Sequence, residues 1–135
     1  MKHKTHSEKI LIVEDDEPTQ EAILLKFAQL GYSADCARDG EEGLEKLQTH
    51  EYAGVLLDVR MPKIDGFSFL EKKSHLEKFR DVPVIVFSNF SQSEFVERAI
   101  TLGARGYLVK AHHSAQEIVE EMVRCIANGQ CQIDR

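Results

Sequence analysis

Hydrophobic positions along this chain gather into five short runs, each followed by a stretch in which apolar residues recur at helical spacing. The runs are Ile10 to Val13, Ser33 to Ala37, Gly54 to Leu57, Val82 to Phe87 and Gly106 to Val109. Short β-rich runs alternating with helices predict an α/β domain built on a parallel sheet. Val55-Leu56-Leu57 and Val82 to Phe87 are nearly continuous in apolar residues, as strands covered on both faces should be, which places them at the centre of the sheet. Ser33-Ala34-Asp35-Cys36-Ala37 mixes polar and small residues and suits an edge.

The intervening stretches carry helix signals. Pro18 fits the first turn of a helix running through Ala22, Leu25, Phe27 and Leu30 to a stop at Gly31. A second helix follows Asp39-Gly40 with Leu44 and Leu47 on one face, and a third follows Asp65-Gly66 with Phe67 and Leu70 inward. A fourth starts near Ser91 to Ser93, presents Phe95, Val96, Ala99 and Ile100, and ends at Gly103. The last opens at Ser114, where Glu117 completes a capping-box pattern, and its stripe is Ala115, Ile118, Met122, Cys125 and Ile126 before Gly129. Right-handed crossovers put helices on both faces of such a sheet.

What stands at the ends of the runs changes the picture from fold to chemistry. Glu14 and Asp15 close the first run, Asp58 the third, Ser88 the fourth and Lys110 the fifth. In open parallel sheets ligands bind beyond the carboxyl ends of the strands, so the five side chains are expected in one crevice. Three converging carboxylates without arginine partners repel one another unless a cation is bound. All-oxygen ligands imply Mg²⁺, with Mn²⁺ as the alternative, and Mg²⁺ characteristically shares its shell with waters and a phosphoryl group. Taken alone, Glu14-Asp15-Asp16-Glu17 reads equally well as a solvated acidic loop. Lys110 supplies a point charge for a phosphoryl oxygen and Ser88 a hydroxyl, although a strand-end serine also bonds its local backbone.

Composition narrows the class. The 135 residues fit one domain over 1–135, with a core of about 9–127 and flexible ends at 1–7 and 130–135. No apolar stretch approaches the ~20 residues of a membrane span and no signal-peptide core is present, so a cytoplasmic location without membrane association is expected. The net charge of -6 and the scattered basic residues argue against direct nucleic-acid binding. Three cysteines (Cys36, Cys125, Cys131), odd in number and without metal-ligand spacing, read as reduced, structural thiols.

Four motifs then carry a resemblance: Ile10-Leu11-Ile12-Val13-Glu14-Asp15-Asp16, Asp58-Val59-Arg60-Met61-Pro62-Lys63-Ile64-Asp65-Gly66, Pro83 to Ser88, and Gly103-Ala104-Arg105-Gly106-Tyr107-Leu108-Val109-Lys110. Together they resemble the receiver domain of response regulators in two-component signalling, a family that includes chemotaxis receivers. The resemblance implies a flavodoxin-like, doubly wound sheet of five parallel strands in order 2-1-3-4-5 with five helices on two faces. It implies Asp58 as phosphoacceptor from the phosphohistidine of a sensor histidine kinase or histidine phosphotransfer protein. Asp15 would bind Mg²⁺ directly, Glu14 mostly through water, and Asp58 and the Arg60 carbonyl would complete the protein ligands. Asp16 matches a variable position. Ser88 and Tyr107 would form the switch, with Tyr107 turning inward and the face of the fourth helix, fifth strand and fifth helix changing for a downstream protein target. Such a domain catalyses its own phosphorylation and dephosphorylation rather than acting as an enzyme on other substrates.

Two positions depart from the family pattern. Asn89 stands where a small residue is usual, which bears on water access and phosphate lifetime. Ala111 replaces the usual proline after Lys110, which bears on the conformation of that loop and the reach of the lysine. His112 and His113 lack partners at ligand spacing and sit before a helix cap, and His3 and His6 read as tail. Two alternatives remain: a phosphohydrolase with an aspartyl-phosphate intermediate, which wants an acid where Arg60 stands, and a pseudo-receiver that binds partners without phosphorylation. The chain is read as a standalone regulator or a receiver excised from a longer protein.

Overall fold

The computed structural model describes residues 8–60 and 65–135. The motif residues Met61, Pro62, Lys63 and Ile64, and the N-terminal His3 and His6, lie outside the described residues. Five strands, β1 (Lys9–Val13), β2 (Ser33–Ala37), β3 (Gly54–Leu57), β4 (Val84–Ser88) and β5 (Gly106–Val109), form one parallel sheet in the order β2-β1-β3-β4-β5. Between and after them run α1 (Glu17–Gln29), α2 (Gly40–Thr49), α3 (Gly66–Ser74), α4 (Ser93–Thr101) and α5 (Ala115–Asn128).

Side chains alternate across the pleat, so one sequence register feeds two cores. Leu11, Val13, Val55, Leu57, Val84 and Val86 point to the layer of α2, α3 and α4. Ile10, Ile12, Leu56, Ile85 and Phe87 point to the layer of α1 and α5. Every one of these residues is fully buried, which is why β1, β3 and β4 read as continuous apolar runs. The expected edge strand is β2, paired with β1 alone.

Local signals fix the helix ends. Asp16, Asp39 and Asp65 cap α1, α2 and α3 by accepting from the backbone N–H of Thr19, Glu42 and Ser68. Ser114 and Glu117 form the reciprocal capping box of α5. The turn glycines Gly31, Gly103 and Gly129 all adopt positive φ. The fourth helix begins at Ser93, and no side chain caps its first turn.

Four expectations are corrected. The fourth strand starts at Val84 rather than Val82, because Pro83 has no N–H to give a central ladder and only its carbonyl joins, accepting from Val55. In α1 the buried pair is Ile23 and Phe27, one turn apart, while Leu25 is 57% exposed. Cys125 and Cys131 are joined in a disulfide with Cα atoms 4.8 Å apart, so only Cys36 is a free thiol. Residues 130–135 are not a frayed end: Ile133 forms a parallel bridge with Tyr107, covering the β5 edge.

Gly66 illustrates how closely α3 is drawn to the sheet end. Its N–H donates to the Val59 carbonyl at 3.1 Å. A Cβ here would collide with Val59 Cα and lie 2.8 Å from the Asp58 carbonyl oxygen. Gly66→Ala is therefore expected to lower stability by about 2–3 kcal/mol in urea unfolding, because the opposing atoms are backbone and cannot rotate away.

Candidate functional site

The parallel ladder delivers three side chains to one end of the sheet. Asp58 N–H donates to the Val13 carbonyl at 3.0 Å, and Glu14 N–H to the Ala37 carbonyl at 2.9 Å, so backbone pairing continues one residue past the strands. Glu14, Asp58 and Ser88 are all buried there, at 1%, 5% and 1% exposure, whereas Asp15 is exposed at the rim. Carboxylate oxygens of Glu14, Asp15 and Asp58 lie within 4.8 Å of one another. The sequence expectation that these residues converge is met.

Lys110 is the cation of the cluster. Its ammonium donates to Glu14 Oε1 at 2.5 Å and to Asp58 Oδ2 at 3.2 Å, and it lies 4.9 Å from the centre of the Phe87 ring. No described peptide bond is cis, so the Lys110–Ala111 bond is trans; Lys110 opens a 3-10 turn and still reaches both acids. The remaining Asp58 oxygen, Oδ1, accepts from the Arg60 N–H at 3.0 Å. Asp16 accepts from Thr19, as a helix cap does, and is not among the converging oxygens.

Electrostatics follow from this burial. Desolvation pushes the Glu14 carboxyl up to about 7, opposed by the Lys110 hydrogen bond and reinforced by the Asp58 charge. Burial works to lower the Lys110 ammonium, but its bonds and charges with Glu14 and Asp58 win and hold it above its ordinary value. Among the described residues one lysine thus faces two buried carboxylates, a surplus of negative charge. Three oxygen ligands at this spacing suit a hard divalent cation, which would remove that surplus.

On the far side, the Ser88 oxygen accepts from the Phe90 N–H at 3.1 Å. Tyr107 is fully buried beside it, its hydroxyl donating to the Phe90 carbonyl at 2.7 Å; burial raises its pKa above the ordinary phenol value. The inward position implied for Tyr107 is the one present here. Asn89 is exposed at the mouth of the site. A groove of about 320 Å³ opens next to Lys110, between α1 and the start of α5, lined by Pro18, Ala22, Ile23, Phe87 and His113 among others.

Three partners in this neighbourhood were absent from the sequence expectations. Phe87 packs under the lysine, the Phe90 carbonyl receives the tyrosine, and His113 Nε2 lies 2.7 Å from Asp134 Oδ2. The last two depend on how distant backbone segments meet, and nothing local in the sequence marks them.

A family model described as the response regulator receiver domain matches residues 10–123. The chain belongs to the response-regulator receiver family. Among curated proteins, this receiver is 35% identical over 119 residues to a gliding motility regulatory protein of Myxococcus xanthus, covering 86% of the chain but 15% of that protein. It is 32% identical over 123 residues to the probable methanogenesis regulatory protein FilR2 of Methanothrix harundinacea, covering 84% and 79%. It is 32% identical to chemotaxis protein CheV3 of Helicobacter pylori, covering 90% of this chain and 43% of that one. Among solved structures, the receiver domain of Francisella response regulator 1452 superposes with a TM-score of 0.81 at 27% identity, covering 92% and 100%. CheY in the CheX-CheY-BeF3-Mg+2 complex from Borrelia burgdorferi does so with 0.76 at 28%, covering 84% of each chain.

The raised Glu14 pKa gives a pH dependence. An unfolded glutamate titrates near 4.5 and this one near 7, so between those values the folded receiver holds an extra proton. The group's destabilisation is therefore full above about pH 7 and is relieved as pH falls towards 4.5. In EDTA, unfolding free energy is expected to rise by about 1 kcal/mol between pH 8 and pH 6 relative to Glu14→Gln, as measured by urea titration.

Proposed function

We propose that this receiver is a phosphorylation-dependent signalling switch in which Asp58 accepts a phosphoryl group from the phosphohistidine of a sensor histidine kinase or histidine phosphotransfer protein. The observation that carries this is the buried Asp58 carboxylate, with one oxygen on Lys110 and the other on the Arg60 N–H, inside a cluster of carboxylates. A carboxylate held this way is oriented at both oxygens before any donor arrives, and orientation is most of what phosphoryl transfer asks of a protein.

In the reaction an Asp58 oxygen attacks phosphorus, the P–N bond to the donor imidazole breaks, and the imidazole leaves with its electron pair. Lys110 exchanges part of its contact with Asp58 for a phosphoryl oxygen, and the Ser88 hydroxyl donates to another. Glu14, Asp15, Asp58 and the Arg60 carbonyl would hold Mg²⁺, or Mn²⁺ in its place. The ion supplies charge neutralisation for carboxylates and phosphoryl oxygens that would otherwise repel.

The added phosphoryl charge draws Ser88 and Lys110 towards it. Ser88 now accepts from Phe90 N–H, and Phe90 holds Tyr107 through its carbonyl, so a shift of Ser88 acts on Tyr107 through one residue. A downstream protein reads the altered face of α4, β5 and α5, as a population shift between two packings. Residues 1–135 act in this as one receiver domain. Arg60 occupies the place where a phosphohydrolase would want its second acid, which disfavours hydrolysis of small phosphate esters as the main activity.

Beryllofluoride with Mg²⁺, a mimic of the bound phosphoryl group, is expected to bind the wild type in calorimetric titration and to lose binding in EDTA and in Asp58→Asn. Equal binding by Asp58→Asn sinks the switch reading. Ser88→Ala is expected to slow phosphorylation by a phosphohistidine donor by about 10- to 100-fold, in gel-based transfer assays, while Asp58 still accepts.

A further inference from the structure

The C-terminal segment is built onto the sheet more firmly than a tail requires. Gly129 takes a left-handed conformation at the end of α5 and turns the chain back. Gln132 N–H donates to Oε2 of Glu121, a buried acid on α5, at 2.6 Å. The Gln132 carbonyl accepts from Tyr107 N–H at 3.0 Å, and Asp134 N–H donates to the Tyr107 carbonyl at 2.8 Å, bracketing the bridge at Ile133. Asp134 Oδ2 accepts from Val109 N–H at 2.9 Å and lies against His113. Gly106 leaves room for the crossing, since a Cβ there would sit 2.9 Å from the Gln132 oxygen. Cys131, half-buried, ties this segment covalently to the fully buried Cys125.

We propose that Cys125 and Cys131 are a redox latch for a strap, residues 131–134, that closes over the β5 edge at Tyr107. In the disulfide state the strap holds both backbone groups of Tyr107 and withholds the β5 edge from any partner strand. In the dithiol state the strap leaves and the edge opens. An edge with free N–H and C=O groups is a ready site for another strand, so its cover is a functional element.

The latch chemistry balances with a glutathione-class thiol. One thiolate attacks the accessible Cys131 sulfur, the disulfide breaks, and Cys125 leaves as a thiolate that takes up a proton. A second thiol displaces Cys131 from the mixed disulfide, giving one oxidised glutathione and two protein thiols, and oxidised glutathione drives the reverse. The inference is independent of the phosphorylation reading, because it rests only on the segment's contacts.

Hydrogen exchange of the full chain in oxidised and reduced glutathione buffers tests it, with Cys36→Ser in both arms to remove the third thiol. Oxidation is expected to lower the mass by the two thiol hydrogens and to protect the amides of Tyr107, Val109 and Asp134. Reduction is expected to speed their exchange by on the order of tenfold or more, because the short closed loop no longer holds the strap at its site, while Leu11 and Leu56 amides stay protected. Gly106→Ala should give the same exposure with the disulfide intact. Failure of the disulfide to form in excess oxidised glutathione overturns the proposal, as does equal exchange of Tyr107 and Asp134 in both states. The wild-type-latch comparison needs no cysteine substitution at 125 or 131, so it stands even if Gly106→Ala does not fold.

Discussion

Two carboxylates are buried side by side at the end of this sheet with one lysine between them, and much of the structure serves that arrangement. Burial makes negative charge costly at Glu14, and among the described residues Lys110 supplies one positive charge to the pair of carboxylates. The remaining imbalance appears as the raised Glu14 pKa. A fold that keeps such an imbalance retains a strained electrostatic site, ready for a cation and an anion to enter together. Hydrophobic side chains of similar volume would be more stable here, so the charges are best understood through their chemistry.

The sheet is what makes the imbalance tolerable. Parallel pairing puts the ends of β1 and β3 side by side, and the bonds from Asp58 to Val13 and from Glu14 to Ala37 extend it past the strands. Those bonds fix the two backbones side by side, and Lys110 and the Arg60 N–H hold the side chains. The Lys110 ammonium, while bonded to the acids, also sits over the Phe87 ring, 4.9 Å from its centre. The close approach of Gly66 to Val59 draws α3 against the same end of the sheet.

Much of this was legible in the sequence because it is periodic or terminal. Apolar continuity located β1, β3 and β4, the poor apolar content of Ser33 to Ala37 located the edge, and the residues closing the strands marked the pocket. What escaped has no local signature. Ile23 and Leu25 are equally apolar, and it is Ile23 that faces the sheet and α5 while Leu25 faces outward. Cys125 and Cys131 looked unrelated because six positions and a turn at Gly129 separate them, and whether that turn brings sulfurs together depends on backbone direction. Glu121, an acid on α5, is buried where it accepts from the N–H of Gln132 in the strap. The strap itself is polar at Gln132 and Asp134, so composition suggested a loose end, but those groups pair with backbone that an edge strand leaves unpaired.

Tyr107 joins the two halves of the molecule's chemistry. Its side chain reaches the carboxylate pocket through the Phe90 carbonyl and Ser88, while its backbone N–H and C=O are both taken by the C-terminal strap. The ring turns about the Cα–Cβ bond, so the strap fixes the point from which it turns, while the hydrogen bond to Phe90 fixes which way it points. Tyr107 is therefore bonded at two places, its hydroxyl to the Phe90 carbonyl and its backbone to the strap. Lys110 and His113 make the same connection along the chain, since one turn separates the ammonium on Glu14 and Asp58 from the imidazole on Asp134. Asp134 also accepts from the N–H of Val109, the residue before Lys110, so the strap grips the backbone on both sides of the lysine and the pocket and the strap share a structural boundary.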